Sequence, residues 1–331
     1  MKANIPDFRL TLAGRDLSPS IRPRLVSLTL SEKRGDEADQ LEIVLDDSDG
    51  RLALPPTDAV LTLQLGWKQG AGVTPGLIDK GSFKVDEVEH KGTPDQVVIR
   101  AKSADFTSEL KTRREKSWRN TTLGAVIREI AGRNGLQARC AASLASISLP
   151  AVVQSRESDM ALLRRLGREH DAVATIKRGA LIFNPIGTGT SPSGKALASI
   201  VIERRDGDQH SYRLARREQT GGVTASWHDR KGAKKKQVTV GKADGARKLA
   251  RTYATEAQAR AAAKSAQGRS DRQPVTFDYT LALGRADLMP ELKVSVRGFK
   301  AEIDATPWLI GEVAHTVTDR GYVASLKLER A

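Results

Sequence analysis

The feature that most constrains the fold of this chain is a short segment that occurs twice. Residues 83–90 and 308–315 share the pattern aromatic, any residue, aliphatic, any residue, Glu, Val, any residue, His. A proline precedes a strand-like segment before each copy, and a turn with a closing apolar segment follows each copy. The shared positions are Phe83, Val85, Glu87, Val88 and His90 in the first copy and Trp308, Ile310, Glu312, Val313 and His315 in the second.

The wide spacing of the two copies predicts two copies of one domain, because solenoid repeats recur every ~20–50 residues. The repeated Glu and His are residue types used in general acid–base catalysis. A repeated strand signature is more typical of core and rim packing, so we predict no catalytic residues and no enzymatic activity. Simple alternation along a strand places Glu87, Glu89 and Glu312 on the side of the aromatic residues. It places Val88, His90, Val313 and His315 on the other side.

The first hundred residues have the pattern of short strands. Apolar residues alternate with polar ones at residues 61–67 and 41–45, a period of two. Apolar segments at residues 25–30, 83–85 and 96–101 are separated by polar turns. Several short strands joined by turns predict a barrel or a sandwich.

The middle of the chain predicts a small α/β unit over about residues 105–185. Thr121-Thr122 can cap a helix whose apolar face begins at Leu123, and Asn134-Gly135 would end this helix. Ser158 would cap a second helix, with Asp159 beside its positive end. Two strands, 173–177 and 180–183, follow these helices.

The final third predicts a Gly/Ser/Thr/Pro linker at residues 187–194 and then a second set of strands. Asp206-Gly207 predicts a hairpin turn, and we expect the strands after it to continue one sheet. An Ala-rich helix is predicted at about residues 245–267, with Gly268 at its end and Leu249, Tyr253 and Ala257 on its inner side. Predicted strands of this third are 199–204, 210–217, 223–228, 237–240, 276–283, 292–297, 307–318 and 322–328.

Together these patterns predict a mainly β fold with an α+β insertion. The predicted domains are a first set of strands over residues 1–106, a small α/β domain over residues 107–190, and a second set of strands over residues 191–331. The long helix at about residues 245–267 would belong to the last of these domains.

Composition narrows the functional class. The chain has 331 residues, a formal net charge of +14 and one cysteine, Cys140, so no intrachain disulfide can form. The sequence has no run of about 18 apolar residues, so we expect no membrane span. We also expect no secretion signal. The net charge leaves a basic nucleic-acid-binding protein as the alternative function, although aromatics for base stacking make up only 4%. The densest basic run is a candidate interface formed by Lys231, Lys234, Lys235 and Lys236.

Motifs for cofactor or metal chemistry are incomplete. Residues 189–195 have the spacing of a phosphate-binding loop, but Ala196 stands where Ser or Thr must bind magnesium. The five histidines are dispersed, and no two have the i, i+3 or i, i+4 spacing of a helical metal pair. We therefore expect no cofactor and no metal.

Several segments, in order and spacing, resemble one known family. They are Ala38-Asp39-Gln40-Leu41-Glu42-Ile43, Leu63-Gln64-Leu65-Gly66-Trp67, Gly81-Ser82-Phe83-Lys84-Val85, Ala101-Lys102-Ser103-Ala104-Asp105-Phe106, Gln154-Ser155-Arg156-Glu157-Ser158-Asp159-Met160 and residues 308–315. The chain is similar to the late control protein D family of contractile-tailed phages, which also supplies hubs of phage-tail-like bacteriocins. It is similar more distantly to the tube-like part of type VI secretion spike proteins.

This resemblance implies a structural baseplate hub. It implies that residues 1–106 and residues 191–331 each form a tube-like β-barrel domain. It also implies a homotrimer whose six barrels adapt a sixfold tail tube to a threefold central spike. Implied partners are the central spike, the tail tube protein, other baseplate proteins and the tape-measure protein, with DNA only as passing cargo and no membrane insertion. The expected location is the bacterial cytoplasm during assembly and then the tail of a virion or bacteriocin particle.

Overall fold

The structure is a computed structural model that describes residues 3–35, 38–104, 109–215, 221–229, 232–272 and 275–331. Antiparallel strands make up most of the first hundred residues. Their elements are β1 (Ile5–Leu12), β2 (Arg15–Asp16), α1 (Ser18–Ile21), β3 (Leu25–Lys33), β4 (Gln40–Asp46), β5 (Val60–Gln69), β6 (Gly76–Lys91) and β7 (Gln96–Ser103). Six strands lie in the order β3-β4-β7-β6-β5-β1 and share one apolar core that includes Leu30, Leu63 and Phe83. We name these six strands the first barrel unit.

The middle of the chain forms the predicted α/β unit. Its elements are β8 (Arg113–Thr122), α2 (Leu123–Arg133), β9 (Gln137–Cys140), α3 (Ala142–Ala145), β10 (Ser148–Ser158), α4 (Asp159–His170), β11 (Ala172–Lys177) and β12 (Ala180–Pro185). Both predicted caps are confirmed: Thr122 Oγ1 accepts from the amide of Ala125, and Ser158 Oγ accepts from the amide of Ala161, each at 3.2 Å. The inner faces of α2 and α4 pack into a separate core.

The last part of the chain contains a second set of strands and two helices. Its elements are β13 (Ile200–Glu203), β14 (Gly207–Leu214), β15 (Gly222–Asp229), β16 (Lys234–Gly241), β17 (Arg247–Tyr253), α5 (Glu256–Arg272), β18 (Val275–Leu281), β19 (Lys293–Arg297), α6 (Ala301–Asp304), β20 (Trp308–Thr318) and β21 (Gly321–Arg330). Six of the strands lie in the order β14-β18-β21-β20-β19-β13 around a core that includes Phe277, Trp308 and Leu326. We name these six strands the second barrel unit.

The two barrel units form one continuous 13-stranded sheet, because β20 pairs antiparallel with β3. Trp67 of the first unit also donates from Nε1 to the carbonyl of Gly284 at 2.7 Å, and its ring lies 5.5 Å from that of Tyr322. The predicted fold class, mainly β with an α+β insertion, is confirmed. The exact domain boundaries stay a prediction.

Four predictions for the last third were wrong. Residues 247–253 form strand β17 rather than helix, so the helix begins at Glu256 and continues through Gly268 to Arg272. Ala257, predicted to face inward, is exposed. Strands β15, β16 and β17 form a separate three-stranded sheet against α5 instead of continuing the main sheet. Asp206-Gly207 joins β13 and β14 without a hairpin, because β13 pairs with β19 and β14 pairs with β18.

Candidate functional site

The two copies of the repeated segment form hairpins, β6–β7 and β20–β21, that pair in the same register. Val85 lies opposite Ala101 and Ile310 opposite Leu328. The next pairs are Glu87 with Arg100 and Glu312 with Lys327, so one residue, Asp86 or Gly311, is bulged out in each copy. The two histidines then lie opposite Val97 and Ala324.

The bulge corrects the side assignment made from simple alternation. An extra residue reverses which face the following side chains occupy. Val88 and Val313 therefore pack on the core side with the aromatic residues, whereas the two glutamates turn away from it. Each repeated Glu forms an ion pair with the base opposite it: Glu87 with Arg100 at 2.7 Å and Glu312 with Lys327 at 3.0 Å.

The backbone contacts made by the preceding chain are also alike in the two hairpins. The amide of Asp58 donates to the carbonyl of Val85, and the amide of Glu291 donates to the carbonyl of Ile310, both at 2.9 Å. Asp58 and Glu291 have φ angles of +76° and +73°, values uncommon for residues other than glycine. The two copies thus share an unusual backbone conformation that the repeated sequence pattern did not indicate.

The connectivity of the two barrel units matches strand for strand. Within each unit the first, second and third strands along the chain take the same places in the sheet, and so do the remaining three. Two of the differences between the units are large. β13 pairs parallel with β19 whereas β1 pairs antiparallel with β5, and the β15–β17 sheet with α5 is inserted between β14 and β18.

The two repeated histidines have different surroundings. His315 is fully buried because β3 pairs with its strand. The side chain of His90 is 45% exposed, and its Nε2 lies 3.5 Å from a carboxylate oxygen of Asp47. The repeat therefore preserves the position of the histidine along the hairpin but not its partners.

His315 belongs to a buried charge cluster at the meeting point of both barrel units and the α/β unit. Glu32 of β3 accepts from Lys80 at 2.6 Å, from Lys177 at 3.1 Å and from His315 at 3.2 Å. Lys177, on β11, also contacts Asp39 at 3.1 Å. These four contacts join β3, β6, β11 and β20.

Electrostatics explain why the charges persist in this buried place. Burial opposes the charge of Glu32, but the hydrogen bond from His315 and the two ammonium groups outweigh it and hold the pKa of Glu32 below its ordinary value. Burial lowers the pKa of His315. The neutral ring then donates from Nε2 to Glu32 and accepts at Nδ1 from the Tyr322 hydroxyl, at 2.8 Å. In their ionised forms, the carboxylates of Glu32 and Asp39 balance the ammonium groups of Lys80 and Lys177.

Sequence reasoning missed this cluster, because its members lie far apart along the chain and carry no shared spacing. Only His315 was singled out, through the repeat. A lysine within an apolar stretch, such as Lys177 after residues 172–176, was the one available signal.

The predicted basic interface lies mostly on an edge strand. Lys234, Lys235 and Lys236 are exposed on β16, at the edge of the β15–β17 sheet. Lys236 pairs with Asp229 at 2.7 Å and lies over the Trp227 ring. Lys231 is outside the described residues. The assignment of these lysines to an interface stays a prediction.

The structure shows the surroundings of the incomplete cofactor and metal motifs and of Cys140. The loop at residues 189–195 leads into strand β13 and not into a helix that could hold a phosphate. Within the described ranges, no three His, Cys, Asp or Glu side chains group together in a way that could hold a metal ion. Burial raises the pKa of Cys140 to about 11, so its thiol is a weak nucleophile at neutral pH. No helix in the described part of the chain is both long and apolar enough to span a membrane.

Solved structures with a similar fold include tail and secretion components. A 43 kDa tail protein of prophage MuSo2 from Shewanella oneidensis matches with a TM-score of 0.68 at 13% identity, over 98% of each chain. A tail protein from Neisseria meningitidis MC58 matches with a TM-score of 0.67 at 10% identity, over 98% of this chain and 96% of that one. An Escherichia coli type VI secretion component matches with a TM-score of 0.53 at 14% identity, over 97% of this chain and 76% of that one.

Sequence comparisons assign the family. The probable baseplate hub proteins of Escherichia phages 186 and P2 are 40% and 41% identical to this chain, over 98% of its length and 92% and 93% of theirs. The model of the phage tail baseplate hub (GPD) family matches residues 41–321. With matches of this identity and extent, the chain belongs to the phage tail baseplate hub (GPD) family.

Proposed function

We propose that this baseplate hub protein assembles into a trimeric ring that adapts a sixfold tail tube to a threefold central spike. The observation that carries the proposal is the match between the two barrel units in strand order, hairpin register and bulge position. Three chains with two similar units each supply six similar units around one axis. Closed rings use one interface repeated around an axis, so such a chain can present threefold symmetry on one side and near-sixfold symmetry on the other.

The remaining parts of the chain fit this role as binding surfaces. We assign the α/β unit to the outside of the ring, where it would contact other baseplate proteins. The two ends of the ring would contact the tail tube protein and the central spike, and the tape-measure protein would reach the tube end. Assembly would take place in the bacterial cytoplasm before the protein becomes part of the tail. The role is structural and needs no catalytic residue.

Native mass spectrometry and cryo-electron microscopy test the ring. The expected result is a trimer with a central channel surrounded by six barrel units, formed by the purified protein or on addition of its spike partner. A chain that stays monomeric at assembly-like concentration with the spike partner present would overturn the proposal.

A further inference from the structure

We propose that neighbouring copies of the chain join by strand addition, with β14 of one copy pairing antiparallel to the free half of β6 in the next. In this pairing Arg213 lies opposite Glu89 of the neighbouring copy. The inference rests on the trimeric ring proposed above and names the strands and the register that would close it.

The chain contains one example of this contact. β20 runs past the end of its pairing with β19, and its far half, from Glu312 to Thr318, pairs antiparallel with β3 of the first unit. β6 holds the same position in the first unit that β20 holds in the second unit. Likewise, β14 holds the same position in the second unit that β3 holds in the first unit. If the second junction between units follows the first, β14 of one copy meets β6 of another.

Both strands have the free edges that this contact needs. The near half of β6, up to Lys84, pairs with β5, and the amide and carbonyl of Val85 bond to Ala59 and Asp58. Beyond Val85, the only strand paired with β6 in the described part of the chain is β7. β14 ends the strand order and pairs with β18 alone among the described strands. Free edges of this kind are templates for pairing with another chain.

Burial along the equivalent strands agrees with a missing neighbour. In β20 the side chains of Val313, His315 and Val317 are buried beneath the contact with β3. In β6 the equivalent region is open, and His90 and Lys91 are exposed. In β3 alternate residues are buried, whereas most of β14 is exposed, including 54% of Leu214.

The register follows from the equivalence of the two units. Ala101 and Leu328 are equivalent because they lie opposite Val85 and Ile310, the matching positions of the repeat. In the first unit, Ala101 lies opposite Leu41, which lies opposite Leu30. In the second unit, Leu328 lies opposite Phe277, which lies opposite Tyr212. Tyr212 is therefore the equivalent of Leu30.

Within the chain Leu30 lies opposite His315, so Tyr212 of one copy would lie opposite His90 of the next. Antiparallel pairing then fixes the neighbouring positions. The four resulting pairs are Leu214 with Val88, Arg213 with Glu89, Tyr212 with His90, and Ser211 with Lys91.

The side chains brought together by this register are complementary. Leu214 and Val88 are both incompletely buried and apolar, so pairing would remove apolar surface from water. Arg213 would face Glu89, an opposite-charge pair across the strands. In the described part of the chain, no carboxylate forms an ion pair with Arg213, whereas Glu89 shares Arg100 with Glu42 and Glu87.

The net charges of residues 1–106 and residues 191–331 also favour contact between these two parts of neighbouring copies. Residues 1–106 carry 14 Lys and Arg against 17 Asp and Glu, a net charge of −3. Residues 191–331 carry 26 Lys and Arg against 16 Asp and Glu, a net charge of +10. A head-to-tail ring places each negative part between positive ones, so like charges are kept apart. The contact is heterologous, the type that closes into a ring when the rotation permits.

Disulfide trapping tests the register. In a Cys140→Ala background, Glu89→Cys with Arg213→Cys should link neighbouring copies under mild oxidation and give covalent trimers on a non-reducing gel. Directly opposite residues in an antiparallel pair lie about 4.5–5.5 Å apart between Cα atoms, within the range that a disulfide spans. The pair Ser31→Cys with Ala314→Cys is the positive control, because these residues lie opposite each other within one chain.

A register-shifted pair provides the matched negative control. Glu89→Cys with Gln209→Cys keeps both side chains on the same face but moves one cysteine four residues, roughly 13 Å at ~3.3 Å per residue. Crosslinked trimers from the first pair and only monomers from the shifted pair would support the inference. A trimer in native mass spectrometry that gives no crosslink, or equal crosslinks with both pairs, overturns the inference and leaves the ring in place. A monomer in every assay removes both.

Discussion

At the scale of single residues, the buried carboxylate of Asp159 is stabilised by hydrogen bonds from several side chains. Its carboxylate is fully buried and accepts four hydrogen bonds: two from Arg133, one from Asn134 and one from Gln154, at 2.6–2.9 Å. It also stands at the positive end of α4. A buried carboxylate needs partners of this kind. The segment from Gln154 to Asp159, one of the segments that carry the resemblance, therefore supplies both the charge and one of its partners.

His315 predicts a dependence of stability on pH. Burial lowers the pKa of His315 in the folded chain below the ordinary value of 6.5, so the unfolded chain binds the extra proton first as the pH falls. The free energy of unfolding should therefore decrease below about pH 6.5, by up to about 1.4 kcal/mol per pH unit for this group. His315→Gln should reduce that slope, as measured by urea unfolding between pH 7.5 and 5.

The matched control for this prediction is His90→Gln, the same substitution at the equivalent position of the other hairpin, where the side chain is 45% exposed. Burial also lowers the pKa of His170, so part of the slope should remain in the His315 variant. A slope that is the same in all three proteins would contradict the assignment of a neutral His315.

At the scale of elements, the helix cap of α4 gives a local prediction. Ser158→Ala removes the acceptor for the amide of Ala161 and should lower the stability of α4 by about 1 kcal/mol. Amide hydrogen exchange in residues 159–170 measures this loss directly. Ser155→Ala, at an exposed position on the preceding strand, is the control and should not change the exchange. Equal effects from the two substitutions would show that the cap does not act as described.

The elements of the last third show where local patterns fail. The Ala- and Arg-rich residues from 245 onward have the composition of a helix, yet 247–253 form β17. Their parallel pairing with β15 covers the edge of that strand and places Leu249 and Tyr253 against the core under α5. Helix propensity is worth a few tenths of a kcal/mol per residue, so pairing and burial of this kind outweigh it.

The repeated hairpins are the opposite case. Their strands, turns and core aromatic residues could be predicted, because alternation and turn residues are local signals. The bulge after Val85 and Ile310 could not, and it reversed the faces assigned to the glutamates and the valines. A bulge is defined by the pairing between two strands, so the sequence of one strand does not reveal it.

At the scale of the whole molecule, the lysines of β16 predict an effect on assembly. Lys234→Glu with Lys235→Glu changes two exposed charges at a sheet edge and should reduce trimer formation while leaving thermal unfolding of the chain nearly unchanged. Analytical ultracentrifugation measures the trimer. Lys195→Glu with Lys300→Glu, an equal charge change at other exposed positions, is the control. A double variant that unfolds but still forms trimers when folded would contradict an interface role for these lysines.

The sequence by itself determined the class of strands and helices in most of the chain, both helix caps in the middle unit, and the presence of two related hairpins. These features depend on residues close together along the chain, where alternation and capping act. Only the tertiary structure decided that β3 pairs with β20, that residues 247–253 are a strand, and that Glu32, Lys80, Lys177 and His315 meet in one buried cluster. Those outcomes depend on which distant segments share a core, since a buried charge is stable only where the fold brings its partners to it.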